Sequence, residues 1–97
     1  MKHLEKASKE LNSEYINVLG NNVTISVQDG VISEAGINGI QASDMILFLR
    51  ELFASLNEDF PCRENSLTIT HLDEAYHWQL RRTIERTKRG VEGKNLQ

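Results

Sequence analysis

The spacing of hydrophobic positions along the chain changes twice. Leu4, Ala7 and Leu11 recur at helical intervals, so residues 3–12 are expected to form a short amphipathic helix. From Tyr15 the period becomes two. Tyr15-Ile16-Asn17-Val18-Leu19 reads as a first strand and Gly20-Asn21-Asn22 as a turn. Val23, Ile25 and Val27 then alternate with Thr24, Ser26 and Gln28, the mark of a half-buried strand. Asp29-Gly30 is a two-residue hairpin signal, and it predicts a third strand over Val31-Ile32-Ser33-Glu34. Gly36 and Gly39 bracket Ile37-Asn38 in a loop.

The helical period returns at Gln41 to Ser43, with Ser43 the expected N-cap. Met45, Phe48, Leu49, Leu52, Phe53 and Leu56 then follow the i, i+3, i+4, i+7 pattern, with Ile46 and Leu47 widening the stripe. That helix ends in Asn57-Glu58-Asp59, and Phe60-Pro61 punctuates the chain. A second helix runs from Cys62 to Arg89 and stops at Gly90, a span of roughly 40 Å. The short connection makes the two an antiparallel αα-hairpin. The expected fold is α+β in one domain, 1–97: an N-terminal segment (1–13), a small antiparallel sheet of three strands (14–40), a helical hairpin with a long second helix (41–90) and a tail (91–97).

Phasing the second helix separates two faces. Ile69, Leu72, Tyr76, Leu80, Thr83, Ile84 and Thr87 form a stripe expected to pack on the first helix and the sheet. Leu67, His71, Glu74, Ala75, Trp78, Arg82, Glu85 and Arg89 form another, and an apolar patch away from the core needs a partner. Two arrangements account for Trp78: contact with another subunit, or packing under the chain's own N-terminal segment.

Charge sharpens the picture. The net charge of −3 is unevenly spread. Residues 81–97 hold six basic residues (Arg81, Arg82, Arg86, Lys88, Arg89, Lys94) against Glu85 and Glu92, a net of +4, which leaves −7 on residues 1–80. A basic end on an acidic body suits a localised anion, and guanidinium forks hold phosphate bidentately. It does not suit DNA or RNA, which take a broadly basic domain. Glu85 can pair with Arg81 or Arg89 at i±4.

Other chemistries find no support. His71 and His77 lie six apart, about 120° round a helix, so they do not share a face as metal ligands would. His77 can instead pair with Asp73. Cys62 has no nucleophile motif around it, and there is no P-loop or GxGxxG. No apolar run reaches the roughly 20 residues of a membrane span. One cysteine and an N-terminus without an apolar signal region fit a reducing cytoplasm.

Longer stretches carry a resemblance. These are Phe60-Pro61-Cys62-Arg63-Glu64-Asn65-Ser66-Leu67-Thr68-Ile69-Thr70, Leu72-Asp73-Glu74-Ala75, His77-Trp78, Arg82-Thr83 and Arg89-Gly90-Val91-Glu92-Gly93. With Gln28-Asp29-Gly30 and Gly36-Ile37-Asn38-Gly39-Ile40-Gln41 upstream, residues 14–94 resemble a bacteriophage hairpin-domain family. It includes the Thoeris anti-defence sponge and the anti-CBASS sponge, and the strands ahead of the hairpin look more like the Thoeris type. The resemblance implies a non-enzymatic protein without cofactor or metal in the cytoplasm of an infected bacterium. It would sequester signalling nucleotides, either glycocyclic ADP-ribose isomers or cyclic di- and trinucleotides, between subunits of a homodimer or hexamer. By motif position it implies ligand contacts at Asn65 and Arg82, then Arg63, Asp73, Arg86 and Arg89, with Asn38 approaching from the sheet side. Arg82 and Arg86 would hold the pyrophosphate, while Asn65 or Asp73 would bond ribose or base edges. Leu67, His71 and Trp78 would face the neighbouring subunit. Two features depart from the family's pattern: the tail GVEGKNLQ, where Thr-His or Thr-Ser is expected after the last glycine, and residues 1–13, which match nothing in it. The alternative to a sponge is a protein-interaction module that binds a host protein through the Trp78 face.

Overall fold

The computed structural model describes residues 2–90. The tail 91–97, including Val91-Glu92-Gly93 of the closing motif and Lys94, lies outside the described residues. The order of elements is α1 (Lys2–Leu11), β1 (Ile16–Leu19), β2 (Asn22–Ile25), α2 (Ile32–Ala35), α3 (Ala42–Asp59) and α4 (Arg63–Lys88). The fold is α+β, as the change of period predicts.

The N-terminal segment is helical. Ala7 is fully buried, Leu4 and Leu11 pack beside it, and Asn12 closes the helix in the left-handed conformation asparagine tolerates (φ 51°). Polar side chains on one edge of α1 reach the end of α3. Lys2 Nζ lies 2.8 Å from Asp59, Lys6 Nζ 2.6 Å from Glu58, and His3 Nδ1 2.7 Å from Ser55 Oγ. The Lys2 hydrogen bond is the main reason the Asp59 carboxyl sits below its usual 3.8; desolvation opposes it, and the charges of Lys2, His3 and Lys6 reinforce it. A lowered carboxyl pKa stabilises the fold above the unfolded value and ceases to do so as pH falls through the folded one. The Asp59 contribution is therefore complete above about pH 4 and disappears below it. Lys2→Ala should raise the Asp59 titration midpoint towards 3.8, read by carboxyl-carbon NMR; an unmoved midpoint would remove Lys2 as the cause.

The sheet has two strands, not three. β1 and β2 pair antiparallel, Ile16 opposite Ile25 and Leu19 opposite Asn22, across a Gly20-Asn21 turn with Gly20 at φ 63°. The segment expected as a third strand is instead the single turn α2, in which Ala35 N–H donates to Val31 O at 2.8 Å. Asp29-Gly30 does not reverse the chain into a hairpin. Side chains divert it: Asn38 brackets Asp29, accepting from its N–H and donating to its C=O, both at 2.8 Å. Gln28 accepts from Asn38 N–H and donates to Gly36 O at 2.8 Å. The backbone after β2 pairs with Ile40 in parallel, through Gln28 N–H to Ile40 O (2.8 Å) and Ile40 N–H to Ser26 O (2.9 Å). Local amide side chains offered the backbone an alternative that period counting does not see.

α3 starts two residues earlier than Ser43 predicts. Gln41 is the N-cap, and its N–H donates to Asp44 Oδ2 at 3.0 Å in a capping box. Phe48 and Ile40 join Ala7 and Ile16 in the core, with Leu52 packed against them. α3 lies between α1 and α4. α1 packs on β1, whereas the principal contacts of α4 are with α3, so the second helix of the hairpin packs mainly on the first rather than on the sheet. α4 runs 26 residues against 18 for α3, about two turns more. It is capped by the Cys62 sulfur, which accepts from Asn65 N–H at 3.4 Å, and ends before Gly90 at φ 72°.

Candidate functional site

Five of the seven residues that the family resemblance selects lie near the two ends of α4, with Asp73 midway along it and Asn38 on the loop before α3. At its start, Arg63 is exposed and Asn65 is half-buried. Asn65 Nδ2 donates to Phe60 O at 3.1 Å, and Asn57 Oδ1 accepts from Cys62 N–H at 3.2 Å. These bonds fix the turn from α3 into α4 and the direction of the Asn65 side chain, whose carbonyl oxygen remains an acceptor.

Midway along α4, Asp73 is joined to α3. Arg50 Nε donates to Asp73 Oδ1 at 3.0 Å while its NH1 reaches Glu51 at 3.1 Å. Desolvation works against the Arg50 charge, but the Asp73 hydrogen bond and both carboxylates outweigh it and hold the guanidinium above its ordinary pKa. Asp73 thus pairs with Arg50, where the sequence suggested His77. His71 Nδ1 lies 3.7 Å from Glu74 one turn on. Asn38 lies on the loop between α2 and α3, with its amide engaged by Asp29. Of the seven candidate contacts, Asn38, Asn65 and Asp73 bond described neighbours through their side chains, and Arg86 has an interaction of its own.

The far end of α4 is basic. Arg81, Arg82, Lys88 and Arg89 are exposed, and none of the arginines among them is ion-paired to a described residue, Glu85 included. Arg86 differs: it is only 5% exposed and already has interaction partners. Trp78 is 69% exposed, and α1 packs on α3 and β1 rather than over it, so packing under the N-terminal segment is not how the chain covers this ring. Leu67 and His71 are also exposed.

A concavity of about 480 Å³ lies along this end, lined by His77, Trp78, Leu80, Arg81, Ile84, Glu85 and Lys88. Periodicity assigned Leu80 and Ile84 to the core stripe, yet they are 42% and 53% exposed. The readable signal was length: a helix two turns longer than its partner leaves its last apolar positions uncovered. Arg81 and Lys88, absent from the expected contacts, flank those apolar side chains. Cations beside an indole and aliphatic groups suit an anionic ligand with a flat ring. Among the described residues no cluster of three or more histidine, cysteine or acidic side chains could hold a metal. No helix of the described residues is long and apolar enough to cross a membrane.

The two strongest candidates are far apart. Asn65 and Arg82 are separated by about 25 Å along the helix axis and about 100° around it. A single small ligand on one copy of the chain cannot touch both.

Residues 20–83 match the Acb2/Tad1 hairpin domain. The chain is also similar to Thoeris anti-defense 1 from Bacillus phage SBSphiJ7, with 43% identity over 75 residues, 76% of this chain and 53% of that protein. It spans about half the length of that relative. The matched family domain holds β2, the braced loop, α3 and most of α4; α1 and β1 precede it.

Proposed function

The chain belongs to the Acb2/Tad1 hairpin-domain family, and from that membership we propose that it is a phage anti-defence sponge. It binds a signalling nucleotide, a glycocyclic ADP-ribose isomer or a cyclic di- or trinucleotide, and keeps it from the Thoeris or CBASS effector in the host cytoplasm. The observation that carries the reading is the distribution of cations and amide along α4. Arg82 and Arg89 are exposed and unpaired among described residues, on a projecting helix, with Asn65 about 25 Å away at the other end. Two antiparallel copies of α4 bring Asn65 of one chain beside Arg82 of the other. One ligand then spans two subunits, and the exposed Trp78, Leu67 and His71 face the partner. The family resemblance implies such a homodimer and its further assembly to a hexamer.

Sequestration needs no chemistry from the protein. Hydrogen bonds from guanidinium groups to phosphate and from Asn65 to ribose or base supply affinity. Among the described residues, the three histidines pair with Ser55 and Glu74 or line the basic groove.

The test is recovery of the ligand. Protein mixed with each nucleotide should show a raised melting temperature by mass action, and the nucleotide released on heating should be chemically intact. Recovery of a hydrolysed product would overturn sequestration in favour of an enzyme. The exposed Trp78 face also supports a second reading, a module that binds a host protein. In that case no nucleotide moves the melting temperature, and Trp78→Ala rather than Arg82→Ala abolishes partner capture.

A further inference from the structure

We propose that α1 is a clasp that positions the α3–α4 turn, with His3 its central positioning residue, and so sets the affinity of the Asn65 end of the nucleotide site. The inference rests on the sponge reading for its ligand, but not for its structural half.

The last turn of α3 is held on two sides. Towards α1, Ser55, Glu58 and Asp59 are taken by His3, Lys6 and Lys2. Towards α4, Asn57 and Phe60 hold Cys62 and Asn65. The two sets interleave over residues 55–60, so displacement of one displaces the other. Asp59, 3.3 Å from His3 Nε2, is the residue before Phe60, whose carbonyl fixes the Asn65 amide. No side chain intervenes between the clasp and the candidate ligand contact.

His3 is the member suited to set this geometry. Lys2 and Lys6 are surface cations on long flexible stems and hold little order. His3 is buried, as is Ser55, and their 2.7 Å bond is the shortest side-chain link between α1 and α3 after the Lys6 pair. With the proton on Nε2, the ring accepts from the Ser55 hydroxyl and presents N–H towards Asp59, so one rigid plane ties two positions one turn apart at the end of α3. Ala7, the most buried residue described, and Leu4 then seat α1 on the core immediately behind the ring. The α1 half of the clasp lies outside residues 20–83, the part that matches the family domain, and its partners on α3 lie within it.

The experiment compares His3→Ala and His3→Gln in the full chain, well below their melting temperatures. The side-chain amide protons of Asn65 are followed by NMR, and nucleotide affinity by calorimetry with a glycocyclic ADP-ribose isomer and a cyclic trinucleotide. For His3→Ala we expect the Asn65 amide signals to shift and exchange faster, and affinity to fall about fivefold. Glutamine, which can still bond Ser55, should recover most of both. In an Asn65→Ala background the His3→Ala loss of affinity should vanish. A lowered melting temperature with unchanged Asn65 signals and unchanged affinity would overturn the proposal, because that is the outcome of a merely structural role. If His3→Ala fails to fold, Ser55→Ala removes the same bond with the ring in place, and the same readouts decide. Should the unmodified protein bind no nucleotide, the sponge reading fails, while the Asn65 amide still reports whether the clasp positions the turn.

Discussion

Arg82→Ala should lower nucleotide affinity by about 30-fold or more and leave the melting temperature of the free protein unchanged. Both halves follow from its setting. The side chain is exposed near the projecting end of α4 and makes no ion pair with a described residue, so truncation removes no folded-state contact among them. Surface changes of that kind usually alter stability by less than about 0.5 kcal/mol. In the complex the same guanidinium would grip a phosphate bidentately and be desolvated by the partner chain. Removing one member of such a pair costs about 2–5 kcal/mol, and each 1.4 kcal/mol is a factor of ten. Lysine keeps the charge but not the planar fork, so Arg82→Lys should fall between the two. Titration calorimetry beside a thermal scan separates the effects. Affinity within about threefold of the original would take Arg82 out of the site and favour the protein-binding reading of the Trp78 face.

Gly39→Ala should destabilise the fold by about 3 kcal/mol or more, the larger of the expected effects on stability. A β-carbon at Gly39 would stand 2.4 Å from Val27 C, 2.6 Å from Gln28 N and 2.7 Å from Ser26 O. All three are backbone atoms, so no side chain can rotate away. The backbone is that close because residues 26–28 and Ile40 exchange two hydrogen bonds in a parallel bridge. Pushing them apart breaks that bridge, lifts the buried Ile40 from the core and moves Gln41, which caps α3. A domain of this length has about 5–15 kcal/mol in all, and 3 kcal/mol lowers its melting temperature by roughly 12–24 °C. Chemical denaturation should show the loss as a lower midpoint at constant slope. A midpoint within error of the parent's would mean that the bridge is dispensable.

Long periodic segments were legible in the sequence; side-chain contests with the backbone were not. The apolar intervals of residues 45–56 and the Phe60-Pro61 break placed both hairpin helices, because burial of one face is written as spacing. Val31-Ile32-Ser33-Glu34 failed as a strand for a reason no periodicity holds: the Gln28 side chain bonds the backbone of Asn38, the Asn38 side chain bonds that of Asp29, and the loop closes on itself. The same closure explains why Asn38, a ligand contact by family resemblance, is bound to Asp29. Asp73 was ambiguous because a carboxylate on a helix can serve α3 or a ligand, and only packing brings Arg50 within 3.0 Å of it. The basic end was visible as a charge count. That Leu80 and Ile84 stand exposed beside it required comparing two helix lengths.

The excess length of α4 makes it a lever. Its tip lies roughly 40 Å from the Cys62 fulcrum, so a tilt of about 5° there sweeps Arg89 through about 3 Å. That is the whole length of a hydrogen bond. Angular error at the fulcrum is therefore magnified where the cations act, and a substitution in the turn can misplace a phosphate contact it never approaches. Selection on ligand choice can operate at either end of the arm, and changes at the fulcrum move all of the tip's cations at once.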